Sequence, residues 1–430
     1  MHVFKFFLSG LFILFGGTLH AQDVIPLTDK GGLHAAYVVP TDVRDRVDVQ
    51  LIVLSGAHDD PEPSGTAHLT EHLAAFSADA TVLRQPRERD IHATIHNVAT
   101  VYTNSGTPDE VDKLMRLSRA VLDSPKLPDG FAESEIDILH RETLLRERQS
   151  SYRWLQRKAL QNLYGSLRGR ANNTIDDLPK LNLEAAYQFH KEHYVPSNVS
   201  LIISGNIAPD DAAELVAKYF KDTVHTAPPP DKPWLAQRPD PALRYVERIQ
   251  SDRLMHDTVQ LVKFVEFEGR TTSVDMQGAF FIATTILQNR LSKALYYDTN
   301  QFLKMEIDIY FSKAADLELS IIAELMPGVS LEDAHDTLNT TLAGLLKTPI
   351  SPQEIKRARH QQIEGAQNVA RRASGFLYFL LNVAADGFPP VSPSIFTHTL
   401  NATSDQDVIE FMTSIVSPAA TSVILAEKAD

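Results

Sequence analysis

Apolar and polar positions alternate along this chain in two rounds of the same plan. His34-Ala35-Ala36-Tyr37-Val38-Val39 and Val47-Asp48-Val49-Gln50-Leu51-Ile52-Val53 read as two strands. A segment compatible with a buried helix follows, with Ala67, Leu69, Leu73, Ala74 and Ala75, and then a strand-like run from Ile95 to Thr103. Helical periodicity predicts helices over Asp109–Leu122, Glu133–Gln149 and Asp176–His193, the last ended by Tyr194-Val195-Pro196. A strand at Val199–Ser204 and a helix at Pro209–Phe220 close the first round.

Prolines then crowd the chain at Ala227-Pro228-Pro229-Pro230-Asp231-Lys232-Pro233, with Pro239 and Pro241 beyond, a stiff extended connection. After it come a strand at Thr258–Phe264, a helix at Val274–Leu295 and strands at Met305–Phe311 and Leu317–Leu325. A helix at Leu331–Leu346 and another opening at Ser351-Pro352-Gln353-Glu354, with the spacing of a capping box, complete the round. The expected fold class is α+β. Two homologous α/β sandwich domains, each an antiparallel-rich sheet with helices packed on it, would be related by internal duplication. The domains are drawn at 22–225, the connection at 226–243 and the second copy at 244–430.

Residues 1–21 have one early lysine, Lys5, the apolar run Phe6 to Phe15 and a small-residue end at Ala21. They read as a secretory signal peptide, and the apolar run is short for a membrane anchor. The expected location is the bacterial periplasm. The chain has no cysteine, so an exported form carries no disulfide, and any metal ligands are His or carboxylate. A formal net charge of −14 argues against nucleic acid and anionic membranes as partners and is neutral about peptides. Serine-hydrolase elbows, phosphate loops and dinucleotide fingerprints are absent from the sequence.

The chemistry concentrates at Gly65-Thr66-Ala67-His68-Leu69-Thr70-Glu71-His72-Leu73, which contains His-x-x-Glu-His. On a helix, His68 and His72 stack one turn apart with Glu71 on the same face, so two imidazoles can grip one ion beside a carboxylate. Roughly one chain in thirty of this composition would show the pattern by accident, so a third ligand has to be found. The helix Glu133–Gln149 carries two acids, Glu135 and Glu142, seven apart on one face. By pattern alone either could be an ordinary solvated acid. His190-Lys191-Glu192-His193 has the wrong spacing for the motif and reads as a solvated helix end.

His-x-x-Glu-His followed about seventy residues later by this pair of glutamates resembles the pitrilysin, or insulinase-like, metallopeptidase family, in its mitochondrial-processing-peptidase-like branch. The lead-in Gly56-Ala57-His58-Asp59-Asp60-Pro61, the stretch Tyr194-Val195-Pro196-Ser197-Asn198 and the strand ending Ser204-Gly205-Asn206 match the family in the same order. The resemblance implies one zinc per chain held by His68, His72 and Glu142, with Glu71 as general base and Glu135 as a supporting carboxylate. It implies an enclosing chamber, with peptide substrate added as a strand to a sheet edge, near which Asn97 and Ala99 fall; by themselves these two read as ordinary strand residues.

One departure stands out. Active members carry an Arg and, seven residues later, a Tyr that reach the substrate, from the second half or from a partner subunit. Here those positions hold Tyr296 and Leu303, while Arg290 and Tyr297, also seven apart, are out of register. Two readings follow. One is a zinc endopeptidase, the metal-bearing subunit of a heterodimer whose homologous partner supplies the pair, with a homodimer as the variant. The other is a non-catalytic scaffold or binding subunit on the same fold.

Overall fold

The computed structural model describes residues 23–429 except 42–44, 62–63, 84–90, 150–151, 169–177, 222–231, 233–237, 267–273, 312–315 and 371–391. The signal-peptide segment and most of the Pro-rich connection therefore lie outside the described residues.

The first sheet contains β1 (Ile25–Pro26), β2 (Ala35–Pro40), β3 (Val47–Val53), β4 (Ile91–Ile95), β5 (Thr100–Gly106) and β6 (Val199–Gly205), in the order β1-β2-β6-β3-β5-β4. The second contains β7 (Arg244–Ser251), β8 (Thr258–Glu266), β9 (Phe302–Phe311), β10 (Asp316–Leu325) and β11 (Thr421–Lys428), in the order β7-β11-β8-β10-β9. With β1 set aside, the two orders are the same. Each has one parallel pair, β2 with β6 and β7 with β11, and is otherwise antiparallel. The duplication reaches single residues. In Val49-Gln50-Leu51-Ile52, Gln50 faces Ile202 and Ile52 faces Ser200; in Val259-Gln260-Leu261-Val262, Gln260 faces Ile424 and Val262 faces Ser422. β3 and β8 are central and buried on both faces, so polar residues they carry, Asp48 and Gln50 in β3 and Gln260 and Lys263 in β8, are buried too.

Helices α1 (Thr66–Leu83), α2 (Val111–Ala120) and α6 (Pro209–Phe220) pack on one face of the first sheet. α1 lies between that sheet and helices α3 (Phe131–Gln149) and α5 (Leu183–His193). Small residues Ala67, Ala74 and Ala78 face the sheet, and Leu69 and Leu73 pack with Leu139 and Ala186. A helix enclosed on both sides has no polar stripe, and this one sets the imidazoles of His68 and His72 among buried neighbours. In the second half α7 (Val274–Leu291), α8 (Leu331–Gly344), α9 (Pro352–Ala370), α10 (Pro393–Ala402) and α11 (Asp405–Val416) cover one face of the second sheet.

A further helix, α4 (Arg153–Arg168), was not read from the sequence. It follows α3 in the chain but packs on the other face of the second sheet, with Leu155, Ala159 and Leu163 against Val262, Phe264 and Ile424. Tyr164 Oη donates to Glu318 at 2.7 Å and Lys158 Nζ lies 2.8 Å from Glu247, so both halves are joined along this helix. Each fully buried leucine there contributes about 1.5–3 kcal/mol.

Several expectations shift. The run Ile95–Thr103 is not one strand: β4 and β5 form a hairpin, and Asn97 and Ala99 sit in its turn, closed by His96 N–H donating to Ala99 O at 2.8 Å. The helix expected from Asp176 starts at Leu183, where the Asn182 side chain accepts the Ala185 N–H. The helix expected to Leu295 passes at Ser292 into a π-helical turn ending at Tyr297. β9 starts three residues early and carries a bulge, because Leu325 faces Phe302 while Glu324 faces Lys304, leaving Leu303 as the extra residue. Among the described residues no helix is long and apolar enough to cross a membrane.

Candidate metal centre

The lead-in to α1 is fixed before the motif begins. His96 O accepts the Ala57 N–H and Asn97 O accepts the His58 N–H, so the β4–β5 turn holds this loop through its backbone. A Cβ on Gly56 would lie 2.2 Å from His96 O, so only glycine fits there. Asp60 then accepts the Gly65 N–H at 2.7 Å and the Ala67 N–H at 2.5 Å, occupying the free donors of the helix start with a carboxylate.

His68, Glu71 and His72 form a buried group whose ligand atoms all lie within 4.8 Å of one another. Their rings meet edge-on, with centroids 5.0 Å apart. Glu142 arrives from α3: its Oε2 lies 3.7 Å from His68 Nε2 and 3.9 Å from His72 Nε2. Glu71 Oε2 is at 3.7 and 3.8 Å from the same two nitrogens. The structure thus brings together all four residues that the sequence singled out, and the two carboxylates flank the imidazoles almost symmetrically. Their surroundings differ. The Glu71 side chain is 8% exposed, while that of Glu142 is 38% exposed and takes the Arg146 guanidinium at 3.3 Å.

Two imidazole nitrogens with a carboxylate oxygen from a second helix are a donor set suited to a tetrahedral zinc ion. Bonds of about 2.0–2.2 Å place such ligands roughly 3.3 Å apart, a few tenths of an ångström closer than these atoms stand. The residues present therefore fit the ion. The fifth residue, Glu135, is buried and its Oε2 lies 2.8 Å from His72 Nδ1. With Nδ1 engaged there, neutral His72 keeps its lone pair on Nε2, the nitrogen near Glu71 and Glu142. Burial alone would lower the His72 pKa, but the Glu135 hydrogen bond and the charges of Glu71, Glu142 and Glu135 outweigh it and raise the value.

Behind α1 lies a polar network that the sequence reading missed. His190 and His193 are buried, contrary to the solvated end expected of His190-Lys191-Glu192-His193; only Lys191 and Glu192 face outward. His190 Nε2 lies 2.9 Å from Val121 O and its ring stacks on Tyr194. His193 Nδ1 lies 2.8 Å from Ser55 Oγ, and Asn198 Nδ2 donates to both Ser55 Oγ and His193 O. The hydroxyls of Tyr102 and Tyr194 meet at 2.7 Å; burial, with the nearby Glu71 charge, holds both well above the ordinary tyrosine pKa. Tyr194-Val195-Pro196-Ser197-Asn198 is therefore a buckle beneath α1, legible as a motif but without a role until folded.

In the second half, Arg290 forms a fork with Glu354 at 2.7 and 2.7 Å and also donates to the carbonyls of Leu345, Thr348 and Pro349. It ties the end of α8 to the start of α9, where Ser351 Oγ accepts the Glu354 N–H. Tyr297 is exposed, as are Tyr296 and Leu303 in part. A surface cavity of about 780 Å³ between α2 and α6 is lined by Pro108, Val111, Ile207 and Leu215 among others, and holds none of the metal-centre residues.

Comparisons with known proteins agree with this architecture. Residues 180–362 match the family described as the Peptidase M16 inactive domain, a region that does not include the metal centre. The chain is 27% identical over 179 residues to the beta subunit of the mitochondrial-processing peptidase of Neurospora crassa, a match covering 39% of this chain and 37% of that protein. The crystal structure of a protease from Helicobacter pylori superposes with a TM-score of 0.76 at 16% identity, covering 94% of this chain and 100% of that one. The periplasmic protease PqqL from Escherichia coli gives a TM-score of 0.71 at 14% identity over 95% of this chain; the chain spans about half of that protein, 48%. At these identities the structural likenesses show the two-sheet fold.

Proposed function

We propose that this chain, which belongs with the M16 or pitrilysin/insulinase-like peptidases, is an exported zinc-dependent endopeptidase acting on peptides or unfolded polypeptides. The observation that carries this reading is the convergence of His68, Glu71, His72 and Glu142 on one point, with Glu135 behind His72. A decayed site has no reason to retain five matched side chains on two helices.

His68, His72 and Glu142 would hold the ion, and Glu135 keeps His72 in the tautomer that offers Nε2. Zinc, when bound, supplies Lewis-acid chemistry that brings the pKa of a water to about 7. Glu71, buried and one residue before His72, is placed to accept that water's proton at Oε2 and to hand it to the departing amine nitrogen. Among the described residues β4 ends the first sheet, and its outer edge suits an extended peptide added as a further strand, with the turn residues Asn97 and Ala99 at the end of that edge. Asn97 already gives its carbonyl to His58, and Ala99 is buried and gives its carbonyl to His96.

The segment 1–21 supports export through the general pathway to the periplasm, where the Escherichia coli neighbour resides. Tyr296 puts a phenol where a cation is expected, Leu303 has no polar group where a hydroxyl is expected, and Arg290 is committed to Glu354. These three residues favour a homologous partner subunit that supplies an Arg and a Tyr. They also support the second reading, a non-catalytic scaffold subunit, as does the match to an inactive domain.

Metal analysis of the purified chain, together with hydrolysis of a quenched peptide library with and without a homologous partner, separates the two. About one zinc per chain and cleavage that Glu71→Gln abolishes would support the peptidase. A chain that takes up no zinc would leave the scaffold.

A further inference from the structure

Asp59 immediately precedes the residue that caps α1, and its side chain is only 2% exposed. Its carboxylate accepts the Gly56 N–H at 2.9 Å and faces Lys232 Nζ at 3.1 and 3.3 Å. Lys232 comes from the Pro-rich connection between the two halves, 173 residues further along the chain. The same ammonium donates to the carbonyl of Leu54 at the end of β3 and lies 3.5 Å from Ser55 Oγ. Ser55 is gripped from its other side by His193 and Asn198. One cation thus closes together the end of a central strand and the loop that leads into the metal helix.

A buried carboxylate that loses a cationic partner is strongly destabilised, because water cannot take the cation's place there. The disturbance would not stay local. Asp59 is bonded to Asp60, Asp60 holds the N–H groups of Gly65 and Ala67, and Ala67 precedes His68.

We propose that Lys232 is a positioning residue that braces the lead-in of α1 through Asp59 and the end of β3 through Leu54, so that its contacts set the placement of His68 and His72. The mechanical part stands on the Lys232–Asp59 contact alone; its effect on turnover rests on the peptidase reading above.

The test uses the full chain carrying Lys232→Met, Lys232→Arg, Asp59→Asn, or Lys232→Met with Asp59→Asn. Amide hydrogen exchange at residues 57–67 is read first, and then kcat and KM on a peptide cleaved by the native protein. Lys232→Met is expected to speed exchange at Gly65 and Ala67 by about tenfold or more while leaving β8 and α7 unchanged. Lys232→Arg should restore protection to within about threefold, and the double variant should exchange no faster than Lys232→Met, since both changes remove one interaction. Turnover should follow, with kcat lowered and KM changed less than about twofold. Native-like exchange at Gly65 and Ala67 in Lys232→Met, or effects of the two single changes that simply add, would overturn the proposal. Should the native chain cleave no peptide, exchange still judges the fastening, and the peptidase reading fails separately.

Discussion

Glu135 Oε2 lies 2.8 Å from His72 Nδ1, two helical turns before Glu142 on the same helix. α3 therefore addresses α1 twice, once behind His72 and once in front of it. Glu135→Ala should weaken zinc binding by about 10–100-fold, as loss of such outer partners commonly does. Glu135→Gln should cost less, because its amide oxygen still accepts from Nδ1. Competition with a chromophoric chelator reads both, and unchanged affinity in Glu135→Ala would remove Glu135 from the site.

Glu71 and Glu142 stand at nearly equal distances from the two imidazoles, so geometry by itself does not divide their roles. Substitution does. His68→Ala, His72→Ala and Glu142→Gln are each expected to abolish stoichiometric zinc. Glu71→Gln should retain zinc and fold while lowering peptide hydrolysis by several orders of magnitude. Zinc persisting in Glu142→Gln but lost in Glu71→Gln would exchange the two assignments.

Burial holds the His190 imidazole neutral, with a pKa lowered from 6.5 to about 4. Between those values the unfolded chain binds a proton that the folded chain does not, so stability falls as pH drops through the window. Above pH 6.5 this group adds no pH dependence. The full penalty, about 3 kcal/mol, is reached only below pH 4. His190→Gln, which cannot titrate but can still donate to Val121 O, should flatten the decline in urea midpoint between pH 7 and 4.5. An equally steep decline would place the acid sensitivity elsewhere.

Tyr296 and Leu303 occupy the places where a substrate-facing Arg and Tyr are expected, and Leu303 is the unpaired residue of a bulge on an edge strand. The lone chain should be a weak peptidase. Adding a homologue that lacks His-x-x-Glu-His but keeps Arg-(x6)-Tyr should raise kcat/KM about a hundredfold for each donor restored. Full activity of the chain alone, with no gain from any homologue, would refute the partnership.

The two-round plan was legible because each central strand carries a run of β-branched and leucine residues, Val47 to Val53 in β3 and Val259 to Val265 in β8, and is followed by a loop and a helix. His68, Glu71 and His72 were legible because a helix converts sequence spacing directly into shared direction. Glu142 and Glu135 were visible only as two acids on a charged helix face, and choosing between ligand and support needed the second helix in place. What could not be read were features set by long-range packing. The hairpin turn at Asn97 is short and lies between two β-prone runs, Ile91–Ile95 and Thr100–Gly106, and the burial of His190 and His193 depends on Val121 and Ser55 arriving from distant parts of the chain. α4 was missed because its apolar stripe serves a sheet made much later in the chain.

That last arrangement has a consequence for synthesis. α4 leaves the ribosome with Leu155, Ala159 and Leu163 ready to pack, but two of the strands that receive them, β8 and β11, come later, and β11 ends the described chain. At ~10 residues per second the apolar face of this helix stays uncovered for on the order of half a minute. The repeat unit of the sequence is thus not its folding unit. A nascent chain stopped after the first sheet would be a client for a holding chaperone rather than a finished domain.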